Sequence, residues 1–117
     1  MKALIAEGRE VSEAEYAASC RHQSQLKQDV QHCFEAVDVL ICPATPGPAP
    51  DPTTTGDSVM NVPWSYTGLL TISLPVALSS EDLPMAIQLV GPASDESALF
   101  RVAAWFEDVI LSDNDRG

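Results

Sequence analysis

Two cysteines and two histidines that are close in the sequence have the side chains that bind zinc. They are Cys20, His22, His32 and Cys33, and the surrounding apolar periodicity predicts one long helix that carries all four. On a helix, His22 and Cys33 share a face but lie roughly 16 Å apart along the axis, whereas His32 and Cys33 point about 100° apart. Adding Asp29 gives at most two ligands in one place, and a closed zinc site needs four. We therefore predict no metal site and no cofactor.

Serine chemistry is the second possibility, because hydrolases use a serine that a base activates. The sequence has no Gly-x-Ser-x-Gly turn, and both histidines fall on the same predicted helix without an obvious partner serine. Ser79 and Ser80 stand together in an acidic turn, and turn formation explains them. The six glycines are dispersed, which excludes a phosphate-binding loop. No catalytic residue is predicted from these patterns.

A group of polar and aromatic residues at positions 61–66 is not explained by turn formation. It combines an amide, an indole, a hydroxyl and a phenol, which can line an apolar pocket and offer a few polar contacts. We therefore predict that Asn61, Trp64, Ser65 and Tyr66 line a small-molecule pocket. The alternative is that Trp64 only fills a gap under a long loop.

Charge and composition limit the partners of the chain. The 117 residues include 6 Lys plus Arg and 17 Asp plus Glu, so the formal net charge is −11. This charge repels nucleic-acid phosphates and anionic lipid surfaces, and we predict that the chain binds neither nucleic acid nor membranes. No apolar run is long enough to span a bilayer. Three cysteines are an odd and sparse set, which favours reduced thiols and a cytoplasmic location.

The first long helix has a clear start signal. Ser12 and Glu15 match a capping box and predict a helix over residues 12–37. Its apolar stripe, which Gln23 interrupts, predicts that the helix lies on a core. The stripe consists of Tyr16, Cys20, Leu26, Val30, Cys33, Phe34 and Val37.

Three strands and a final helix follow. Residues 39–42 are wholly apolar, which predicts a short strand that is buried on both faces. Residues 70–78 alternate, and residues 85–90 follow a polar turn, so the two segments predict a hairpin. Ser94 is predicted to cap the last helix. The sequence therefore predicts the α/β class, with a partial mixed sheet flanked by helices.

The sheet is thin, and we predict that residues 1–117 form a single partial domain. Residues 43–57 are rich in Pro and Thr and begin with five prolines in ten residues, so they predict a stiff internal loop. A short helical piece at residues 2–7, which Gly8 closes, opens the chain. A polar tail from Ser112 is expected to fray.

Four segments, taken in order, resemble the amidase signature family. Residues 37–46, VDVLICPATP, are similar to the family pattern D-x-L-x-x-P-x-x-P. Residues 61–75, NVPWSYTGLLTISLP, are similar to N-x-P-x-N-x-x-G-L-P-A-I-S-V-P. Residues 83–91, LPMAIQLVG, resemble G-L-P-V-G-L-Q-L-V-G, and residues 95–99, DESAL, resemble the start of a final segment E-x-x-L-L-x-x-A.

The sequence departs from these patterns at four positions. Leu70 stands where the family has Pro, and Ser65 stands where it often has Asn. Asp82 and Ala86 replace glycines. Glycine losses near a turn can be tolerated, and Asp suits a left-handed turn better than most residues.

The resemblance implies a carboxamide hydrolase that transfers an acyl group from an amide to water through a serine ester. It also implies a serine nucleophile, a second serine in a cis peptide and a lysine base, all within or upstream of a Gly- and Ser-rich region that this sequence lacks. Lys2 and Lys27 lie outside the matching motifs. The chain is thus similar to the C-terminal part of the family fold, and no catalytic residue carries over.

The resemblance therefore predicts a C-terminal fragment or truncated relative of an amidase, inactive by itself. Its partners would be a small-molecule amide substrate and a complementing N-terminal segment. The alternative from the residues alone is a non-catalytic module that pairs, with itself or another chain, through an exposed sheet edge.

Overall fold

The computed structural model describes residues 2–114, and the side chains of residues 3–112, as four helices and one sheet of three strands. In chain order these elements are α1 (Lys2–Glu10), α2 (Glu13–Cys33), β1 (Leu40–Pro43), α3 (Val62–Thr67), β2 (Leu70–Leu78), β3 (Pro84–Gly91) and α4 (Glu96–Asn114).

The sheet has β3 in its centre, with β1 on one side and β2 on the other. Both outer strands run antiparallel to β3, and Ile41 and Ile72 lie opposite Leu89 from the two sides. The predicted α/β class with helices around a sheet is confirmed. The described strands form an antiparallel sheet rather than a mixed one, because β2 and β3 are a hairpin and β1 joins the free edge of β3 in the opposite direction.

Two residues shape the hairpin. The pairing of β2 with β3 shifts by one residue between Pro75 and Ala77, which leaves Val76 as the extra residue of a β-bulge. Proline has no N–H to donate, so its place on an outer strand beside a bulge fits its chemistry. Asp82 has a φ of 58° in the turn, a left-handed conformation that Asp adopts more readily than most residues.

The core lies between the sheet and α4. Leu74, Leu89, Leu99 and Ala103 are its buried members, and they come from β2, β3 and α4. Around them pack partly buried residues from the same elements and from the segment just before β1, namely Val39, Leu70, Ile72, Ile87, Val102 and Phe106. The hairpin and the apolar stripe of α4 therefore stabilise each other, as alternating strands and a 3.6-residue helix period require.

The prediction that β1 is buried on both faces is wrong. Leu40 and Cys42 are half-buried, whereas the side chain of Ile41 is 56% exposed. No strand of residues 2–114 pairs with the outer edge of β1. An apolar run alone did not reveal that one face and one edge lack a neighbour.

The start of α2 agrees with the sequence. The Ser12 hydroxyl accepts a hydrogen bond from the main-chain N–H of Glu15, and the Ser12 N–H donates to the Glu15 carboxylate at 2.9 Å. The helix ends at Cys33, four residues earlier than predicted, because the next amides bond three residues back, as the Phe34 N–H does to Gln31.

The prediction that α2 lies on a core is wrong for its first half. No residue of α2 is buried, and Tyr16, the first member of the predicted stripe, is 68% exposed. Only Leu26 and Val30 within the helix, and Phe34 after it, are half-buried members of that stripe. Within the described residues, the helix element packed against α2 is the short α3.

Two predicted helix boundaries also differ. Gly8 does not close α1, which continues to Glu10, because Gly8 has no left-handed φ and a glycine only weakens a helix interior. The N-cap of α4 is Asp95 instead of Ser94: the Asp95 carboxylate accepts from the N–H of Ala98 at 3.0 Å. Ser94 itself has a φ of 67° and forms the turn before the helix.

Pro43, the first residue of the predicted loop, belongs to β1. Residues 44–57, the proline-rich loop, contain neither helix nor strand. The predicted tail is helical as far as Asn114, and residues 115–117 lie outside the described part. No helix in that part is long and apolar enough to cross a bilayer.

Candidate functional site

The sheet face opposite α4 carries a row of polar side chains. Cys42, Gln88 and Ser73 lie side by side across β1, β3 and β2, and they define what we call the loop face. Gln88 is only 2% exposed, whereas Ser73 is exposed. A buried polar side chain in a central strand needs a hydrogen-bond partner, so Gln88 marks the point where another segment is attached.

Gln88 binds the segment that leads into α3. Its Nε2 donates to the main-chain carbonyl of Met60 at 2.9 Å and lies 3.5 Å from the Sγ of Cys42, which accepts weakly. These contacts satisfy the buried amide and hold the start of α3 against the loop face. The position of α3 is therefore set by a side chain of the central strand.

The helix α3 is short and has defined ends. Asn61 occupies its N-cap without a side-chain cap, and Pro63 sits in its first turn, where its missing N–H is not needed. Gly68 ends the helix with a φ of 74°, a conformation that glycine adopts most readily. Thr67 is buried, and its hydroxyl donates to the carbonyl of Pro63 at 2.7 Å.

Tyr66 connects α3 to α2. Gln23 of α2 donates from its Nε2 to the main-chain carbonyl of Tyr66 at 2.9 Å. The Tyr66 hydroxyl donates to the carbonyl of Ser19 at 3.4 Å and lies 3.3 Å from Nδ1 of His22. Gln23, the interruption of the apolar stripe, is thus the residue that positions α3 on α2.

The four residues predicted to line a pocket all lie on α3 or at its start. Asn61 and Ser65 are exposed, and Trp64 and Tyr66 are half-buried, with Tyr66 directed at α2. The Nε1 of Trp64 is buried and has no hydrogen-bond acceptor among the described residues. The structure brings the four side chains onto one turn and a half of helix, and their role in binding stays a prediction.

A cavity of about 360 Å³ lies between the proline-rich loop and the loop face. Its floor consists of Ser73, Pro84 and Ala86, and its roof includes Pro48. Asp57 forms part of the wall, and its carboxylate also accepts the N–H of Val59 at 2.9 Å. The volume falls within the range of small-molecule pockets.

The roof of this cavity is held in place by local contacts. Gly56 has a φ of 81°, and a Cβ there would come within 3.3 Å of Pro50, so the two arms of the loop meet at this glycine. The Asp51 carboxylate accepts from Thr53, whose hydroxyl and N–H lower the pKa of Asp51 below its ordinary value. The proline-rich loop therefore covers the cavity in a defined conformation.

A second cleft, of about 400 Å³, runs between α2 and the chain after α3. Lys27 and His32 line one side, and Leu69 and Ala93 line the other. The Nδ1 of His32 donates to the carbonyl of Gln28 at 2.9 Å. The other ring nitrogen, Nε2, takes no part in this hydrogen bond.

The cysteines and histidines of the first candidate site do not converge. Cys20 and Cys33 are both exposed, and the nearest anionic group to His32 is Glu35, at 3.9 Å from Nε2. Across the part of the chain that the structure describes, no three His, Cys, Asp or Glu side chains are grouped so that they could hold a metal ion.

The sequence contained a signal for two positioning residues that were not predicted. Gln88 is a polar residue between Ile87 and Leu89 in an apolar strand, and Gln23 breaks an apolar helix stripe. A polar residue at a position that the pattern marks as buried indicates a hydrogen bond to a distant segment. Nothing in the local pattern around Ser73 and Asp57 shows that a cavity lies between them.

Comparisons with known proteins bear on the same residues. A model of the family described as "Amidase" matches residues 1–100. The chain belongs to the amidase family. A solved crystal structure of an amidase superposes on this amidase-family chain with a TM-score of 0.78 and 25% identity, over 92% of this chain and 27% of that one.

Glutamyl-tRNA(Gln) amidotransferase A subunits are similar in sequence. The subunit of Rhodospirillum rubrum is 37% identical over 103 residues, and the subunit of Thermosynechococcus vestitus is 35% identical over 103 residues. Each match covers 81% of this chain and 21% of the subunit. The chain therefore spans about a fifth of the length of these relatives, and the amidase resemblance found in the sequence is confirmed.

Proposed function

We propose that these 117 residues are the part of an amidase that completes its sheet and forms one wall of its substrate pocket. The reaction of the whole enzyme would be acyl transfer from a small-molecule amide to water through a serine ester. The serine nucleophile, the second serine and the lysine base would come from chain beyond these residues, and the isolated chain would be inactive. The match to 21% of the length of the relatives is the observation that carries this proposal.

The open sheet supports a complementing segment. In the described chain, the outer edges of both β1 and β2 have no partner strand. Ile41 on β1 is 56% exposed, and Trp105 on α4 is 60% exposed. Unpaired edges and large exposed apolar side chains are surfaces that proteins normally cover.

The dimensions of the chain point the same way. Its radius of gyration is 17.9 Å, and its extents are 58 × 40 × 17 Å. A compact domain of similar length has a radius of gyration of about 13 Å. The chain with this larger radius of gyration also exposes apolar residues on α1, such as Leu4 and Ile5. These residues would be buried if a further segment packed on that helix.

Within this proposal, α3 supplies the pocket wall. Asn61 and Ser65 offer an amide and a hydroxyl on the exposed side of the helix, and Trp64 offers an apolar surface. Tyr66 would act mainly by holding α3 on α2 through its contacts with Gln23 and Ser19. A cytoplasmic location is part of the same proposal, and the free thiols of Cys20, Cys33 and Cys42 support it.

Fragment complementation tests the proposal. The chain would be co-expressed with an A subunit of Rhodospirillum rubrum that lacks the matching fifth of its length, and the complex would be assayed for hydrolysis of simple amides. We expect no turnover from either part alone and turnover from the purified pair. Saturable turnover by the 117 residues alone after rigorous purification, or a pair that never associates, would contradict the proposal.

A pair of matched variants shows whether the sheet edge carries the association. Ile41→Lys places a charge on the exposed face of β1 and is expected to prevent complementation. Glu107→Lys changes the net charge by two units, against one for Ile41→Lys, at an exposed position of α4, and is expected to leave complementation intact. Equal loss in both variants would show that net charge, and not the strand edge, controls the association.

The competing function is a non-catalytic module that self-associates through β1. The open edge of β1 and the exposure of Ile41 favour it, whereas the net charge of −11 opposes contact between two copies. Light scattering over a range of concentrations separates the two. A dimer that forms with rising concentration and that Ile41→Lys dissociates would support the module, and a monomer at all concentrations would exclude it.

A further inference from the structure

We propose that a groove between residues 36–39 and α4 is the docking site of one amphipathic helix of the complementing segment, and that this helix places a Lys or Arg side chain opposite Asp38. The inference rests on the proposed function for the existence of that segment. We call this surface the Trp105 groove, and its apolar lining consists of Val37, Val39, Val102, Trp105 and Phe106.

The Trp105 groove is elongated. A cavity of about 550 Å³ adjoins a second cavity of about 350 Å³, and the residues that line both are Val37, Asp38, Arg101 and Val102. Along α4 the two cavities reach from Ala98 to Phe106, which corresponds to about 12 Å of helix. This shape fits a rod of two or more turns better than a single side chain.

The apolar lining is partly fixed and partly exposed. The rings of Trp105 and Phe106 meet edge to face, with centroids 5.0 Å apart and planes at 85°. Val39, Val102 and Phe106 also pack against the core, which holds the floor of the groove in place. Trp105 is 60% exposed and Val37 is 44% exposed, so the rim offers large apolar side chains that a partner would cover.

The width of the sheet indicates that the partner is a helix. Neighbouring strands lie about 4.8 Å apart, so β1 and β2 are about 10 Å apart, and α4 packs mainly against β2 and β3. Ile41 of β1 lies opposite Leu89 and therefore on the same face, yet Ile41 is 56% exposed whereas Leu89 is buried. A strand at the edge of β1 would extend the sheet without covering this face. A second helix beside α4, about 8–10 Å away, would cover it and would lie in the Trp105 groove.

Asp38 determines the charge that the helix must carry. Its carboxylate lines both cavities, and no ion pair joins it to another side chain of the described residues. Arg101 lines them too, but its Nη1 donates to the Ser97 hydroxyl at 2.8 Å on its own helix. A docked apolar helix would remove water from Asp38, and a carboxylate without hydration or a counter-charge is costly. The helix must therefore bring a cation, which the net charge of −11 also attracts.

The test uses the chain together with the Rhodospirillum rubrum A subunit that lacks the matching fifth of its length, and calorimetry measures their affinity. Trp105→Ala is expected to weaken binding at least about thirtyfold, because a buried tryptophan is a strong anchor of an interface. The matched control is Leu111→Ala, which removes an exposed apolar side chain of α4 outside the groove and is expected to change the affinity less than about threefold. Equal weakening by the two variants would overturn the groove as the docking site.

Two charge variants test the basic side chain. Asp38→Asn is expected to weaken binding at least about fivefold, because the cation of the partner loses its counter-charge. Arg101→Gln is expected to leave the affinity within about twofold of the native value, because Arg101 is held by Ser97. Both residues are exposed, so neither reading depends on how the chain tolerates Trp105→Ala. An equal loss in Arg101→Gln would show that Arg101 neutralises Asp38 on docking, and it would overturn the cation of the partner.

A photo-cross-linker identifies the occupant. With p-benzoylphenylalanine in place of Trp105, irradiation of the pair should attach one segment of the shortened subunit, which mass spectrometry maps. The expected segment has apolar residues at spacings of three and four and a Lys or Arg within one turn of them. A segment with the alternation of a strand, or one without a basic residue, would contradict the proposed helix.

The outcomes separate this inference from the proposed function. Turnover by a pair whose affinity does not change in Trp105→Ala would reject the docking site and retain the amidase role. Association that depends on Trp105 and Asp38, without turnover by the native pair, would retain the docking site and reject the amidase role. A pair that never associates would overturn both.

Discussion

Gln88 in the central strand donates a hydrogen bond to the main-chain carbonyl of Met60, 28 residues earlier, at 2.9 Å. Through this bond the sheet fixes where the proline-rich loop ends and where α3 begins. The contact is part-buried, since Gln88 is 2% exposed and Met60 is half-buried, so its loss would leave a polar group without a partner.

Replacing Gln88 by Leu is therefore expected to destabilise the chain by about 1–3 kcal/mol, because the Met60 carbonyl loses its donor in a part-buried place. Urea unfolding measures the change, and hydrogen exchange at residues 58–62 should rise. Gln25→Leu is the control: it removes an exposed bond to Asp29 and should change stability by less than about 0.5 kcal/mol. Equal effects of the two variants would show that burial of Gln88 is not what matters.

Gly91 allows α4 to approach β3. A Cβ at this position would lie 3.3 Å from the Cβ and Cδ1 of Leu99, which is packed in the core and cannot withdraw. Gly91→Ala is expected to cost about 1–3 kcal/mol through overpacking. In a double-mutant cycle with Leu99→Ala, the two costs should fall short of additivity by at least about 0.5 kcal/mol, because alanine at position 99 removes the close contact with Cδ1 and leaves only the one with Cβ.

Two results would contradict this account of Gly91: strict additivity in the cycle, or a neutral Gly91→Ala. The matched control is Gly8→Ala in α1, where a Cβ would meet no atom within 4 Å. It should stabilise α1 by about 0.5–1 kcal/mol through helix propensity alone.

The capping box of α2 makes its first turn sensitive to acid. The N–H of Ser12, and then its hydroxyl, donate to the Glu15 carboxylate and lower the pKa of Glu15 below its ordinary value of 4.5. Because the pKa of Glu15 is lower in the folded state, its carboxylate contributes fully to the stability of the helix at pH values above the ordinary pKa. This contribution is lost as the pH falls through the lowered pKa. Carboxyl ¹³C titration of Glu15 by NMR measures this directly.

Ser12→Ala should move the pKa of Glu15 only part of the way back, because the main-chain donor remains. Glu13→Gln, on the same turn, should leave the Glu15 titration almost unchanged. If Glu15 titrates at its ordinary value in the native chain, the box is not formed in solution.

The junction of α2 and α3 rests more on Gln23 than on the Tyr66 hydroxyl. Gln23 donates to the Tyr66 carbonyl at 2.9 Å, whereas the hydroxyl contacts are 3.3 and 3.4 Å long. Gln23→Ala is expected to cost about 0.5–1.5 kcal/mol and Tyr66→Phe less than that, because hydrogen bonds weaken as they lengthen. Ser24→Ala, which removes a bond inside α2 only, is the control for urea unfolding and for exchange of the α3 amides.

A larger effect of Tyr66→Phe than of Gln23→Ala would reverse this ranking. It would also assign the Tyr66 hydroxyl, through its contacts with Ser19 and His22, the larger role in the placement of α3 on α2.

The sequence by itself determined the elements whose signals are local. The capping box at Ser12, the left-handed turn at Asp82 and the stiffness of the loop depend on residues within a few positions of one another. The hairpin of β2 and β3 is also local, since one short turn joins two alternating strands. Together with the four amidase-like segments, these features identified the family and the order of the elements.

Only the tertiary structure decided which surfaces are covered. Periodicity marks an apolar face, but it does not tell whether a neighbour packs there, and so the first half of α2 and the outer side of β1 are exposed against expectation. The bonds that position α3 join Gln23 to Tyr66 and Gln88 to Met60, 43 and 28 residues apart. Such partners are brought together by the packing of the whole chain, because a sequence pattern reports only on the next turn of helix or the next strand.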